Sequence, residues 1–306
     1  MVFLGRRMLL RRLLLAAMLA LLLFLSSLWL PQGRATDCET SWHPCLTFYH
    51  QTPEPPLAPV AWAGPASAPP LPPECPGQLF QAGRLLLHLQ SSLGAEGDIL
   101  LEPYLLSWEE LIKFMESLGT IVGFFSQKVK DKVALIRELS LKHHREAHGK
   151  LPGLQTPASF GLQSGAYRSV RSMVEAELRA GVVDFSRRSR SGCRTLLRLH
   201  RSLRWLTLLL EGLAEGPDTR GRYRTPGELG REAYQVALAP HHSWVLRQAA
   251  ELVFLALPDR QFFLGLVCVR SQQEATPILH TLIRALSLVH THTQRILDTH
   301  NMLELP

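Results

Sequence analysis

The chain has 306 residues, 46% of them hydrophobic, enough for one large domain with appendages. Its formal charge of +7 looks basic, but Arg6, Arg7, Arg11, Arg12 and Arg34 stand in a leading stretch without acids, and the remainder is close to neutral. That distribution excludes a nucleic-acid-binding surface, which needs a basic face on the folded domain.

After a basic tail over residues 1–12, an uninterrupted apolar run occupies residues 13–30. It is longer than a signal-peptide core of about 7–15 residues and just short of a full span of about 20. The length favours a retained single-pass signal anchor, with a cleaved peptide and a secreted chain as the alternative. The flanking arginines would remain cytoplasmic and place the rest of the chain on the other side. Residues 31–76 read as a stalk, since ten prolines fall between Pro53 and Pro76 without any hydrophobic period. The domain proper is expected over residues 77–306.

Within it the apolar residues recur at three and four, and the spacing predicts helices near 77–93, 105–116, 119–147, 166–181, 191–214, 227–239, 243–256, 259–269 and 275–302. Pro103, the 152–157 stretch, Gly216-Pro217, Thr225-Pro226, Pro240 and Pro258 mark the breaks. No strand alternation of useful length appears, so the expected class is all-α. Cys193 and Cys268 fall in apolar helical stretches and read as small core residues. A Cys38–Cys45 disulfide is open, with Cys75 left over.

The helix from Cys193 is the most informative. Leu196, Leu199, Leu203, Leu206 and Leu210 form one stripe, and Arg194, Arg198 and Arg201 share the opposite face within about 60°. Further along, Trp205, Leu208 and Leu209 take over the arginine face, so the second half is apolar on both sides and should lie between two layers. Guanidinium groups at the rim of an apolar interior suit a ligand with an anionic head and a greasy body. On the helix from Gly119, Lys128 and Lys132 emerge about 40° apart from a face otherwise built by Ile121, Phe124, Phe125, Leu135, Ile136 and Leu139. They either snorkel to solvent or share an anion site with Arg194 and Arg198. The adjacent or nearly adjacent histidine pairs lack metal-ligand spacing, and no nucleophile elbow, phosphate loop or paired carboxylates occur. These residues therefore predict no metal, no cofactor and no catalysis.

From Ile99 to Pro306 the chain resembles the glycolipid transfer protein family, most closely its ceramide-1-phosphate transfer branch. The resemblance rests on Leu101-Glu-Pro-Tyr-Leu-Leu-Ser-Trp108, Ser117-Leu-Gly-Thr-Ile121, Tyr167-Arg-Ser-Val-Arg-Ser-Met-Val174, Val182-Val-Asp184, Ser191-Gly-Cys-Arg-Thr-Leu-Leu-Arg-Leu-His-Arg201, Tyr234, His242-Ser-Trp244 and Met302-Leu-Glu-Leu-Pro306. It implies a two-layer all-α sandwich enclosing an apolar lipid pocket, here preceded by the N-terminal membrane segment. It implies non-enzymatic transfer or binding of a ceramide-1-phosphate-like anionic sphingolipid between membranes. Arg194, Arg198, Lys132 and His242 match the family's head-group contacts, and the glycolipid branch has tryptophan where Arg198 stands, which favours phosphate over sugar. Trp244, Trp205, Phe124, Phe125 and Ile121 are expected in the pocket wall.

One position departs from the family pattern. Lys128 stands where the family has an aspartate that accepts hydrogen bonds from the sphingoid amide and hydroxyl, and an ammonium has donors only. Asp131, about 60° round the helix, is the nearest substitute. The alternative function is a membrane-tethered lipid-sensing or interaction module with weak or lost transfer. Family members that move ceramide-1-phosphate work among cytosolic membrane faces, which conflicts with the topology the anchor implies.

Overall fold

The computed structural model describes residues 72, 74–148, 160–163 and 165–306. Regular structure among them is helical, with two isolated antiparallel bridges, Leu93 to Ile99 and Leu100 to Ser169. In chain order the helices are α1 Ala82–Ser91, α2 Leu101–Ser117, α3 Thr120–His148, α4 Phe160–Gln163, α5 Val170–Arg179, α6 Gly192–Ala214, α7 Pro226–Ala237, α8 Trp244–Ala256, α9 Arg260–Leu266 and α10 Gln272–Thr299. Short 3-10 turns stand at Ala95–Gly97, Gly165–Tyr167 and Ala239–His241. The result is an all-α, two-layer helical sandwich.

At its centre, α6 packs against α10, α7, α3 and α5. Its buried side chains run from Cys193 through Leu196, Leu199 and Leu203 to Leu206, Leu209, Leu210 and Leu213, as a helix held between layers requires. Each such leucine contributes about 1.5–3 kcal/mol by leaving water. The first turn of α6 is doubly capped. Ser191 Oγ accepts from Arg194 N at 3.2 Å, while the buried Glu177 carboxylate on α5 accepts from Gly192 N at 2.6 Å and Cys193 N at 2.9 Å. Tyr167 Oη donates to the same carboxylate at 2.7 Å. Burial, with this carboxylate behind it, pushes both the Tyr167 hydroxyl and the Cys193 thiol up, so each keeps its proton. A side chain at 192 would collide with Met173 Sδ at 2.6 Å, which explains the glycine there.

One helix begins earlier than its proline suggests. Pro103 lies in the first turn of α2, where its missing N–H has no helical partner to lose. Pro277 lies inside α10, whose true start is set by Ser271 Oγ accepting from Glu274 N at 3.3 Å. Cys268 also departs from its expected place as a simple core residue. It adopts a positive φ of 58° after α9 and is disulfide-bonded to Cys75, whose Cα lies 5.6 Å away. Cys193 is free and buried as expected, and residues 38 and 45 lie outside the described residues.

The expected membrane anchor needs correction. Among the described residues no helix is long and apolar enough to cross a membrane. The longest ones carry charge along their length, α3 at Lys128, Lys130, Asp131, Lys132 and Arg137, α6 at Arg194, Arg198, Arg201 and Arg204, and α10 at Arg284 and Arg295. Residues 13–30, on which the anchor rested, lie outside the described residues, as do 1–12 and nearly all of the stalk at 31–76. The membrane segment in the expected fold class, the transmembrane and signal-anchor assignment and the membrane or secreted localisation are therefore not carried forward.

Candidate functional site

The cations expected from sequence come together at the N-terminal end of α6. Arg198 lies one turn beyond Arg194, and its Nη1 donates to Arg194 O at 3.3 Å. Arg194 Nε donates to Pro306 O, and Arg201 Nη2 donates to Leu303 O at 2.5 Å, so the last residues fold back over the arginine face. From α3, Lys132 Nζ donates to Lys128 O at 2.8 Å, and Lys128 Nζ stands 3.8 Å from Asp131 Oδ2. His242, in the turn before α8, is held by Tyr234, with Oη and Nδ1 2.9 Å apart.

The electrostatics bind these groups into one site. Burial first, then Arg194, Arg201 and Arg188, pull the Arg198 guanidinium down to about 10, and no carboxylate offsets them. Arg194 is lowered by burial and by Arg188. The Lys132 ammonium is lowered by burial, then by Arg198 and Lys128, with Asp131 opposing. His242 is lowered by burial, then by His241, Arg247, Lys132 and Arg201, and is neutral at pH 7. When the Tyr234 hydroxyl donates to Nδ1, the imidazole carries its proton on Nε2 and offers a donor to a ligand; in the other tautomer both roles reverse and Nε2 accepts. Half-buried cations that repel one another, opposed only by Asp131 at Lys132 and Glu304 at Arg201, are arranged for an anion. A phosphate monoester, with oxygens for two or more forks, meets that requirement.

Sequence reasoning singled out Arg194, Arg198, Lys132, His242 and Lys128, and the first four share one electrostatic cluster. Lys128 is more exposed and stands at its margin. Arg188 and the C-terminal carbonyls were missed. Arg188 lies in the loop before α6, where no periodicity marks it, and Arg201 was visible on the arginine face without being assigned a contact.

The apolar part is more divided. A cavity of about 30 Å³ lies among Phe80, Leu85, Leu111, Phe114, Leu206, Leu210 and the α9 and α10 residues Phe263 and Leu279. Leu206 and Leu210 stand roughly 12 and 18 Å beyond Arg198 by helical rise, so the cations and the apolar interior lie along a single helix. None of the five expected wall residues lines this cavity. Trp244, Phe124 and Ile121 are 69%, 70% and 49% exposed, Phe125 and Trp205 are half-buried, and Trp205 Nε1 donates to Gly230 O at 3.0 Å. Helices α3 and α8 are in contact, and each carries exposed apolar side chains, Ile121 and Phe124 on the first and Trp244, Val245 and Leu246 on the second. A larger open cleft, between Tyr223–Arg231 and Phe254–Arg260, reaches Tyr234 through Phe254, whose ring lies 5.4 Å from the tyrosine's, and its Arg224 is already paired with Glu215 and Glu232. Among the described residues no cluster of His, Cys, Asp and Glu could hold a metal ion.

A sequence profile of the family described as Glycolipid transfer protein (GLTP) matches residues 99–269. The Homo sapiens protein named Ceramide-1-phosphate transfer protein is 36% identical over 230 residues, covering 74% of this chain and 97% of its own length. Its Danio rerio namesake is 31% identical, covering 74% and 98%. The crystal structure of human ceramide-1-phosphate transfer protein in complex with 12:0 ceramide-1-phosphate aligns with a TM-score of 0.60 at 34% identity, covering 72% of this chain and 97% of that one. The apo form of the mouse protein aligns with a TM-score of 0.61 at 33% identity, covering 74% and 100%.

Proposed function

The chain belongs to the glycolipid transfer protein family, and from that premise we propose that it binds a sphingolipid with a phosphate head group and moves it between membranes without chemical turnover. The observation that carries this reading is the Arg194–Arg198–Lys132 cluster, free of an offsetting carboxylate on Arg198, at one end of a helix whose other end borders an apolar cavity. Phosphate would displace mutual repulsion with charge-assisted hydrogen bonds, each worth about 1.5–3 kcal/mol. The acyl and sphingoid chains would supply the larger share, about 0.8 kcal/mol per buried methylene. The exposed apolar side chains of α8 and the start of α3 give the domain a surface on which to meet the bilayer.

Transfer of fluorescent ceramide-1-phosphate and galactosylceramide between phosphatidylcholine vesicles by the full chain tests the proposal. The phosphate lipid should move and the sugar lipid should not, and Arg198→Leu should abolish the difference. Failure to move ceramide-1-phosphate, or equal movement of both lipids, would refute it.

A further inference from the structure

The groups around the head-group site are almost entirely hydrogen-bond donors. Lys128 and Lys132 present ammoniums, Arg194 and Arg198 present guanidinium forks, and His242, held by Tyr234 at Nδ1, presents Nε2. The backbone acceptors beside them each already take a donor, and the exposed Glu304 carboxylate stands 3.8 Å from Arg201 Nη2. Lys128 O accepts from Lys132 Nζ at 2.8 Å, His242 O from Arg247 Nε at 3.0 Å, Leu303 O from Arg201 Nη2 at 2.5 Å and Pro306 O from Arg194 Nε. Asp131, the one carboxylate that supports Lys132, faces outward, its Oδ1 accepting from Gln127 Nε2 at 3.0 Å and its Oδ2 lying 3.8 Å from Lys128 Nζ.

A ceramide phosphate carries an amide N–H and a hydroxyl directly below its phosphate, and both require acceptors to be read. A diacylglycerol phosphate carries two ester groups there, which only accept. Donors that remain after the phosphate is satisfied, Lys128 Nζ foremost, match the ester linkage and leave the amide N–H without a partner.

We propose that this site reads the phosphate monoester rather than the sphingoid amide, and that the chain therefore binds and transfers diacylglycerol phosphates as well as ceramide phosphates, with Lys128 setting that breadth. The inference rests on the transfer function proposed above and deepens it by naming a second lipid class. Lys128 is a specificity residue on this reading; it is exposed and supports no core packing.

The test uses the full chain and phosphatidylcholine vesicles carrying fluorescent ceramide phosphate, diacylglycerol phosphate or diacylglycerol, with matched acyl chains. Both phosphate lipids should move at rates within about tenfold of each other, and unphosphorylated diacylglycerol should not move. Lys128→Asp, which supplies an acceptor and removes a cation, should shift the ratio toward ceramide phosphate by about tenfold, the scale of one hydrogen bond. Lys128→Gln, milder in charge, should shift it in the same direction and serves if the aspartate variant fails to fold. Movement of ceramide phosphate alone by the unaltered chain would overturn this inference and leave the proposed function standing. Movement of neither phosphate lipid would overturn both. An unchanged ratio in a folded Lys128 variant would remove Lys128 from the account.

Discussion

Arg198 offers a perturbation whose two effects have opposite signs. Its guanidinium is pulled down to about 10 by burial and by Arg194, Arg201 and Arg188, with no carboxylate in compensation. Taken at face value the depression from 12.5 would represent roughly 3 kcal/mol, since each unit corresponds to about 1.4 kcal/mol. The side chain is half-buried, and solvent screening at its exposed part reduces this to on the order of 1 kcal/mol. Arg198→Met keeps the apolar stem, deletes the charge and gives up one long hydrogen bond to Arg194 O at 3.3 Å. The lipid-free variant should thus melt higher, by about 2–4 °C for a domain of this size. Its affinity for ceramide-1-phosphate should fall by about 10- to 150-fold, the equivalent of one charge-assisted hydrogen bond. Thermal melts with and without lipid vesicles read both quantities. A variant that melts lower and still transfers lipid would show Arg198 to be structural, and the anion-site argument would fail with it.

Three further predictions concern the frame around the site. Reduction of Cys75–Cys268, which closes a separation of 193 residues, should lower the melting temperature; the chain-entropy account sets a ceiling of about 5 kcal/mol and measured disulfides give about 2–4. A non-reducing digest should contain the linked peptides, and a dithiothreitol-insensitive melt would count against the bond. Glu177→Gln replaces a carboxylate that accepts from Gly192 N, Cys193 N and Tyr167 Oη with an amide that brings unwanted donors, and should cost about 2–4 kcal/mol in urea unfolding; an unchanged midpoint would dismiss the clamp. Finally, burial and His290 pull His200 down to about 3, and burial and Arg204 pull the stacked His290 to about 4. Both folded values lie below the unfolded value of about 6.5, so the unfolded chain binds more protons between these limits. Stability from this pair should be intact above about pH 6.5 and decline as pH falls toward 4, and a His200→Asn variant should show a flatter decline in denaturation at pH 7.5 and 5.

The parts legible in the sequence are those governed by local period. Along α6 the leucine stripe, the arginine face and the switch to two apolar sides all follow from residue type at 100° per step, and the helix occupies Gly192–Ala214 accordingly. Pro103 misplaced one helix start because a proline marks a boundary only when its missing N–H matters, and the first turn has no use for that donor. Cys268 was taken for core because its neighbours are apolar, whereas its pairing with Cys75 spans most of the domain and leaves no local trace. Trp244, Phe124 and Ile121, expected in a pocket wall from the resemblance, stand exposed in this structure, and residue type does not tell a pocket wall from an exposed apolar surface. Arg188 reaches the site from a loop, so only the folded chain reveals its effect on Arg194 and Arg198.

The interior cavity, at about 30 Å³, holds roughly the volume of one water molecule, so a lipid chain cannot enter without parting the layers. The two ends of the site are unequally prepared for that. At the head-group end, α6 is fixed by Ser191, by the Glu177 carboxylate and by a continuous row of buried leucines. Along α8, by contrast, Phe254 is the only buried residue, and the side chains from Trp244 to Leu246 face solvent. Local stability follows buried contact, so α8 is the element that yields at least cost while α6 holds its arginines in place. A phosphate arriving at pre-positioned guanidiniums pays little for ordering them. The opening cost then falls on the apolar chains, whose burial increases with every methylene admitted. On the proposed function, head-group identity would be set along the well-buried α6 and chain accommodation along the sparsely buried α8, separating the two selectivities within one helical sandwich.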